Sequence, residues 1–221
     1  MPDYMKEMQL EEKDLIVPTA PQVMVCLCVD SSYSMIQEGR MNKVNQGIQQ
    51  FIDDCLENDY VKDSIDLCIV SFGKTKPEVL QHFDNVSKVH FTPIKPSGGT
   101  PLGKAIQLCL DEINKRVEYF NQVGTPLYKP WLIIMSDDES DDDISDVARK
   151  IQQMIRNGDL KTKCIDISMK SKKLSGLKLL SGDGTVDSLD QSGILDFFGL
   201  LSRKAAGLSM ATAEEDTGLS I

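Results

Sequence analysis

The sequence predicts an α/β domain with a doubly wound, mainly parallel central sheet and helices on both faces. Three observations predict it. Short apolar runs alternate with stretches of helical periodicity along most of the chain. The central runs, VMVCLCV (Val23–Val29) and WLIIM (Trp131–Met135), are apolar at every position, as strands covered on both faces must be. A length of 221 residues, 41 % hydrophobic and 26 % charged, suits one sizeable core better than two small ones.

Residues 1–21 read as an N-terminal extension closed by Pro18 and Pro21. After the strand Val23–Val29, the residues Met41, Val44, Ile48, Phe51, Ile52 and Cys55 recur at helical spacing. SIDLCIVSF (Ser64–Phe72) is a strand rich in branched residues, and KVHFTPI (Lys88–Ile94) is predicted as a shorter edge strand. Pro101 opens a second helix, with Leu102, Ala105, Ile106, Cys109, Leu110, Ile113 and Val117 on one face. Beyond the strand Trp131–Met135, a third helix carries Ile144, Val147, Ala148, Ile151 and Ile155, and KCIDISM (Lys163–Met169) is a further strand. Residues 170–192 are rich in Ser, Gly and Asp, with one short helix near Leu174–Leu180, and Gly193–Lys204 is a last helix. The domain is placed at residues 22–207, and residues 208–221 are read as a flexible acidic tail.

The net charge of -10 argues against nucleic acid as a partner and is compatible with cation binding. No apolar run approaches the ~18 to 20 residues that cross a bilayer, so no membrane association is expected. The N-terminus lacks a basic-then-apolar signal, which makes the cytoplasm the expected compartment. Six cysteines all fall in apolar runs or on apolar helix faces, and are read as reduced core thiols.

In doubly wound sheets ligands bind beyond the carboxyl ends of the strands. There the first strand ends in Asp30, followed by Ser32 and Ser34. Thr100 closes PSGGT, a glycine loop running into a helix, and Asp137 follows WLIIMS. Two carboxylates and three hydroxyls form a hard all-oxygen set, suited to Mg²⁺, Mn²⁺ or Ca²⁺ rather than to zinc's sulfur and imidazole. Alternation at 30, 32 and 34 places these side chains on one side if the segment stays extended, and Gly98 and Gly99 let the backbone bring Thr100 close. Two carboxylates only just balance a dication, so an open coordination position attracts an outside carboxylate. The set reads as a metal used to hold a partner. Each piece also has a plainer reading: Asp and Ser are turn residues, and Thr100 is a helix N-cap.

DSSYS (Asp30–Ser34), the distant GGT (Gly98–Thr100) and the aspartate after the later strand together resemble the von Willebrand factor A domain with its metal-ion-dependent adhesion site. The resemblance covers about residues 22–205. It implies a metal site of Asp30, Ser32, Ser34, Thr100 and Asp137, most simply for Mg²⁺, completed by a partner's Asp or Glu. Tyr33, Gly99, Asp138 and Glu139 flank that set and are taken as partner-facing. PSGGTPLGKAI, KPWLIIMSD and the ending FFGLLSRKAAGLS are similar to small stand-alone bacterial members associated with tellurite resistance and stress operons. Three positions depart from the family: Tyr33 and Asp138, where glycine is often found, and, mildly, Ser136 in place of threonine.

Asp138 lies in a dense acidic run, DDESDDD (Asp137–Asp143), read first as a solvated loop whose acids suit the dipole of the following helix. The alternatives are a second cation site, for which the EF-hand spacing is missing, and discrimination in favour of a partner with basic residues beside its acid. Two other functions stand beside the interaction module. A carboxylate after a first parallel strand also describes Mg²⁺-dependent aspartyl phosphatases and phosphoacceptor domains, but position 32 is serine, and no G-x-S-x-G or P-loop occurs. A scaffold without metal is the third.

Overall fold

The computed structural model describes residues 20–210 apart from 60, 74–75, 138 and 169–174. Among these, the strands β1 (Val23–Asp30), β2 (Ile65–Phe72), β3 (Glu78–Asn85), β4 (Trp131–Ser136), β5 (Lys161–Asp166) and β6 (Asp187–Ser188) form one sheet in the order β3-β2-β1-β4-β5-β6. Every pairing is parallel except β2 with β3. The helices are α1 (Arg40–Leu56), α2 (Leu102–Val123), α3 (Ser145–Asn157), α4 (Ser175–Leu180) and α5 (Gln191–Met210).

Side chains of β1 alternate between two apolar layers. Val23, Val25, Leu27 and Val29 pack with α1 and α5, while Met24, Cys26 and Cys28 pack with α2 and α3. This two-sided burial explains why β1 and β4 read as unbroken apolar runs up to their last residues. All six cysteines are buried free thiols, as expected.

The edge strand is not where the apolar pattern put it. Lys88–Ile94 contains no strand, and the antiparallel edge is EVLQHFDN, Glu78–Asn85. Edge strands tolerate polar and charged side chains that an apolar-run search passes over. The 88–94 segment is held differently: the Asn45 amide donates to the Ile94 carbonyl (3.0 Å) and accepts from its N–H (2.9 Å). Pro93 and Pro96 lack the donors a ladder needs there. The last helix is also longer than expected and runs through residues 208–210 of the predicted tail. Residues 1–19 of the predicted extension and 211–221 of the tail lie outside the described residues.

α1 and α5 approach closely because Gly47 has no side chain. A Cβ at Gly47 would stand 2.1 Å from the ring of Phe198. We expect Gly47→Ala to lower stability by about 1–3 kcal/mol, despite alanine's better helix propensity. Urea denaturation measures it, and an unchanged midpoint would show that the helix pair relaxes freely.

Candidate metal centre

Register brings the two aspartates together. Val29 of β1 pairs with Met135 of β4, so the next residues along, Asp30 and Ser136, emerge side by side. Strand order reverses between β1 and β4, which opens a crevice at that edge. Asp30 is buried there; its Oδ2 accepts from Ser136 Oγ (2.6 Å) and its Oδ1 from the Ser32 amide (2.7 Å). The second bond turns the chain, which continues as a 3-10 segment, Tyr33–Gly39. The expected extended alternation at 30, 32 and 34 is therefore corrected: a turn closed by Asp30 collects the side chains. The Ser32 and Ser34 hydroxyls lie 2.8 Å apart, and Ser34 Oγ donates to Asp137 Oδ1 at 2.7 Å.

Thr100 reaches the same edge through its backbone. Gly98 adopts φ 65°, and its carbonyl accepts from the Tyr33 amide at 3.3 Å. The Ser97 amide donates to the Ser31 carbonyl at 2.5 Å, so the glycine loop lies along the serine loop. Thr100 is buried beside it. It does not cap α2, contrary to the plainer sequence reading. Pro101 is the capping residue and no side chain on it bonds the helix.

That role passes to the acidic run. Asp142 accepts from the amides of Gly103 (2.7 Å) and Lys104 (3.0 Å), and Asp141 Oδ2 accepts from the Thr100 amide at 2.5 Å. The free N–H groups of a helix start and its positive dipole end draw in carboxylates. Hence Asp141 and Asp142 serve α2, and Asp143 alone of the three serves α3, accepting from the Ser145 amide at 2.9 Å. A Cβ at Gly99 would meet Asp141 Oδ2 at 2.5 Å, so Gly99 makes room for this contact rather than for a partner alone. Tyr33 and Glu139 are exposed beside the centre, and Asp138 lies outside the described residues.

Arg40 is the residue that sequence reasoning missed. It is 2 % exposed at the first position of α1. Its Nη1 donates to Asp137 Oδ2 at 2.7 Å, and Nη2 to Glu38 Oε2 at 3.0 Å and to the Ser168 carbonyl at 2.9 Å. A sequence signal existed: a cation at a helix N-terminus faces the positive end of the dipole, so an acid from elsewhere must compensate it.

Burial pushes the Asp30 carboxyl up to about 6, against the hydrogen bonds from Ser136 and Ser32 that lower it; the charge of Asp137 adds to the rise. A cation at this edge would relieve that cost. The donors present fit a hard dication: two carboxylates, the neighbouring Ser32 and Ser34 hydroxyls, and Thr100 on the adjoining loop. Among the described residues no cluster of three or more His, Cys, Asp or Glu side chains is arranged to hold a metal, so any centre here depends on hydroxyls. His82 sits elsewhere, on β3, its exposed ring placing Nδ1 2.8 Å from Oε2 of the buried Glu112 of α2.

Residues 25–186 match the von Willebrand factor type A domain. The chain belongs to that family, whose domains are usually non-catalytic modules of protein–protein interaction. A comparison with curated protein sequences returns no match. The chain is similar in structure to the vWF domain of the type V pili tip protein Mfa5 from Porphyromonas gingivalis. That likeness has TM-score 0.65 at 11 % identity, over 90 % of this chain and 99 % of that one. It is also similar to the SpRpn10 VWA domain, with TM-score 0.56 at 14 % identity, over 81 % and 95 % of the two chains. Proximal thread matrix protein 1 from the mussel byssus, solved with a zinc-occupied adhesion-site motif, matches with TM-score 0.55 at 15 % identity, over 86 % of this chain and 47 % of its own. At such identities these likenesses define the fold alone.

Two predictions come from this geometry. Without metal, the folded chain keeps a proton on Asp30 between about pH 4 and 6 that the unfolded chain has released, so this group's contribution to stability falls as pH rises through that window. Asp30→Asn keeps both hydrogen bonds, because the Ser136 hydroxyl can accept instead of donate. In chelator it should gain up to about 3 kcal/mol at pH 7.5 and nothing below pH ~4. A pH series of denaturation curves decides it, and a gain that persists at low pH would rule out desolvated charge as the cause. Asp142→Ala should cost about 1–2 kcal/mol by uncapping α2; equal stability to the parent would mean that water replaces the cap.

Proposed function

We propose that this chain captures a protein partner through a divalent cation, most simply Mg²⁺, with Mn²⁺ or Ca²⁺ able to replace it. Asp30, Ser32, Ser34, Thr100 and Asp137 would hold the ion, and an Asp or Glu of the partner would complete its shell. The observation that carries this reading is the row of oxygens from Ser32 through Ser34 to Asp137, spaced at 2.8 and 2.7 Å beside the buried Asp30. Two carboxylates neutralise a dication and the hydroxyls add no charge, so an outside carboxylate remains attractive to it.

Tyr33, 66 % exposed, and Ile36, 61 % exposed, stand on the loop that carries the serines and offer apolar contact around the charged centre. With Glu38 and Glu139 also exposed there, the partner's acid is accompanied by basic residues. The use of Asp141 and Asp142 by α2 narrows the earlier expectation: their neutralisation tests helix capping as much as partner choice. The setting we propose is the bacterial cytoplasm, in a stress-response or tellurite-resistance system. Support for it comes from the resemblance of PSGGTPLGKAI and KPWLIIMSD to the small bacterial members.

Calorimetric titration of Mg²⁺, Mn²⁺, Ca²⁺ and Zn²⁺ into metal-stripped protein is the direct test. Binding is expected in the parent, lost in Asp30→Ala and Ser32→Ala, and strengthened by free acetate. Silence of the parent with and without acetate would leave a metal-free interaction domain.

A further inference from the structure

Arg40 carries several unfavourable terms at one position. Its guanidinium is buried, it faces the positive end of the α1 dipole, and its Nε has no hydrogen-bond partner among the described residues. What offsets them is Asp137. That carboxylate is divided: Oδ2 goes to Arg40, and Oδ1 accepts from the Ser34 hydroxyl, which in turn lies 2.8 Å from that of Ser32. Asp137, next to Asp30, thus has a permanent counter-charge inside the fold.

We infer that Arg40 is the resident cation of this centre. It holds Asp137 in position when no metal is present, and it weakens the binding of a divalent ion by repulsion across a single carboxylate. When a dication is bound, the same guanidinium leaves the centre with surplus positive charge for an incoming carboxylate. Glu38 is its counterweight. This half-exposed acid bonds the same guanidinium from a left-handed backbone position, φ 55°, followed by Gly39 at φ 68°. It draws part of Arg40's field away from Asp137. The two residues therefore act on metal affinity with opposite signs. The inference rests on the proposed metal site, and it makes that site's affinity a property tuned from outside the five donors.

The test uses the full chain, with Arg40→Gln and Glu38→Gln beside the parent, read by melting in chelator and by titration with Mg²⁺ and Mn²⁺. In chelator, Arg40→Gln should melt several degrees lower, because it leaves Asp137 buried without its charge partner. Added metal should raise its melting temperature more than the parent's. By calorimetry Arg40→Gln should bind on the order of tenfold tighter and Glu38→Gln several-fold weaker. Affinity shifts in the same direction for both variants, or an Arg40→Gln affinity no tighter than the parent's, would overturn the inference while leaving the metal site standing. If neither the parent nor Arg40→Gln binds either ion, the metal reading fails and the inference fails with it. A silent parent beside a binding Arg40→Gln would support the inference while counting against metal capture by the parent itself. Should Arg40→Gln not fold, Glu38→Gln carries the test alone, since its carboxylate is half exposed; binding as tight as the parent's would overturn the inference.

Discussion

The parallel pairing of β1 with β2 on one side and β4 on the other is the constraint on which the rest of the structure depends. It buries all eight residues of β1, the terminal Asp30 included. It also carries the ends of β1 and β4 to one edge, at the point where strand order reverses. A carboxylate so placed has lost its water and must be answered by donors or cations. The Ser136 hydroxyl and the Ser32 amide answer Asp30, and the Ser34 hydroxyl and the Arg40 guanidinium answer the neighbouring Asp137. The polar network is thus the consequence of a desolvation problem that the sheet creates.

Charge at this edge is divided more finely than the composition implies. A run of acids that reads as one electrostatic surface separates into distinct tasks. Asp137 joins Ser34 and Arg40, Asp141 and Asp142 hold the start of α2, and Asp143 holds the start of α3. Backbone N–H groups at a helix start compete well with water for a nearby carboxylate. Missing side chains make this geometrically possible. A Cβ at Gly103 would lie 2.7 Å from the Asp143 carbonyl, and one at Gly99 would strike Asp141. The glycine loop and the acidic loop are therefore built for each other.

Much of this was legible beforehand. The central strands and the amphipathic helices followed from periodicity, because burial on one or two faces leaves its period in the chain. Asp30, Ser32, Ser34 and Asp137 stood out as oxygen-bearing residues ending apolar runs, and Thr100 as the close of a glycine loop. Three features were not legible. The edge strand Glu78–Asn85 carries little apolar signal, since an edge has solvent beside it. The turn that gathers the serines depends on one bond from the Ser32 amide to Asp30. The capping of α2 from a loop about forty residues downstream has no local trace.

What the sequence by itself determined is whatever depends on neighbours in the chain: which segments are strands or helices, which faces are apolar, and which strand ends carry oxygen. What only the tertiary structure decided is which charged groups meet. Arg40 and Asp137 are 97 positions apart, and Ser136 and Asp30 are 106 apart. Their contact follows from strand order and register, which bring distant segments together. The periodicity that reveals each segment says nothing about which segment will lie beside it.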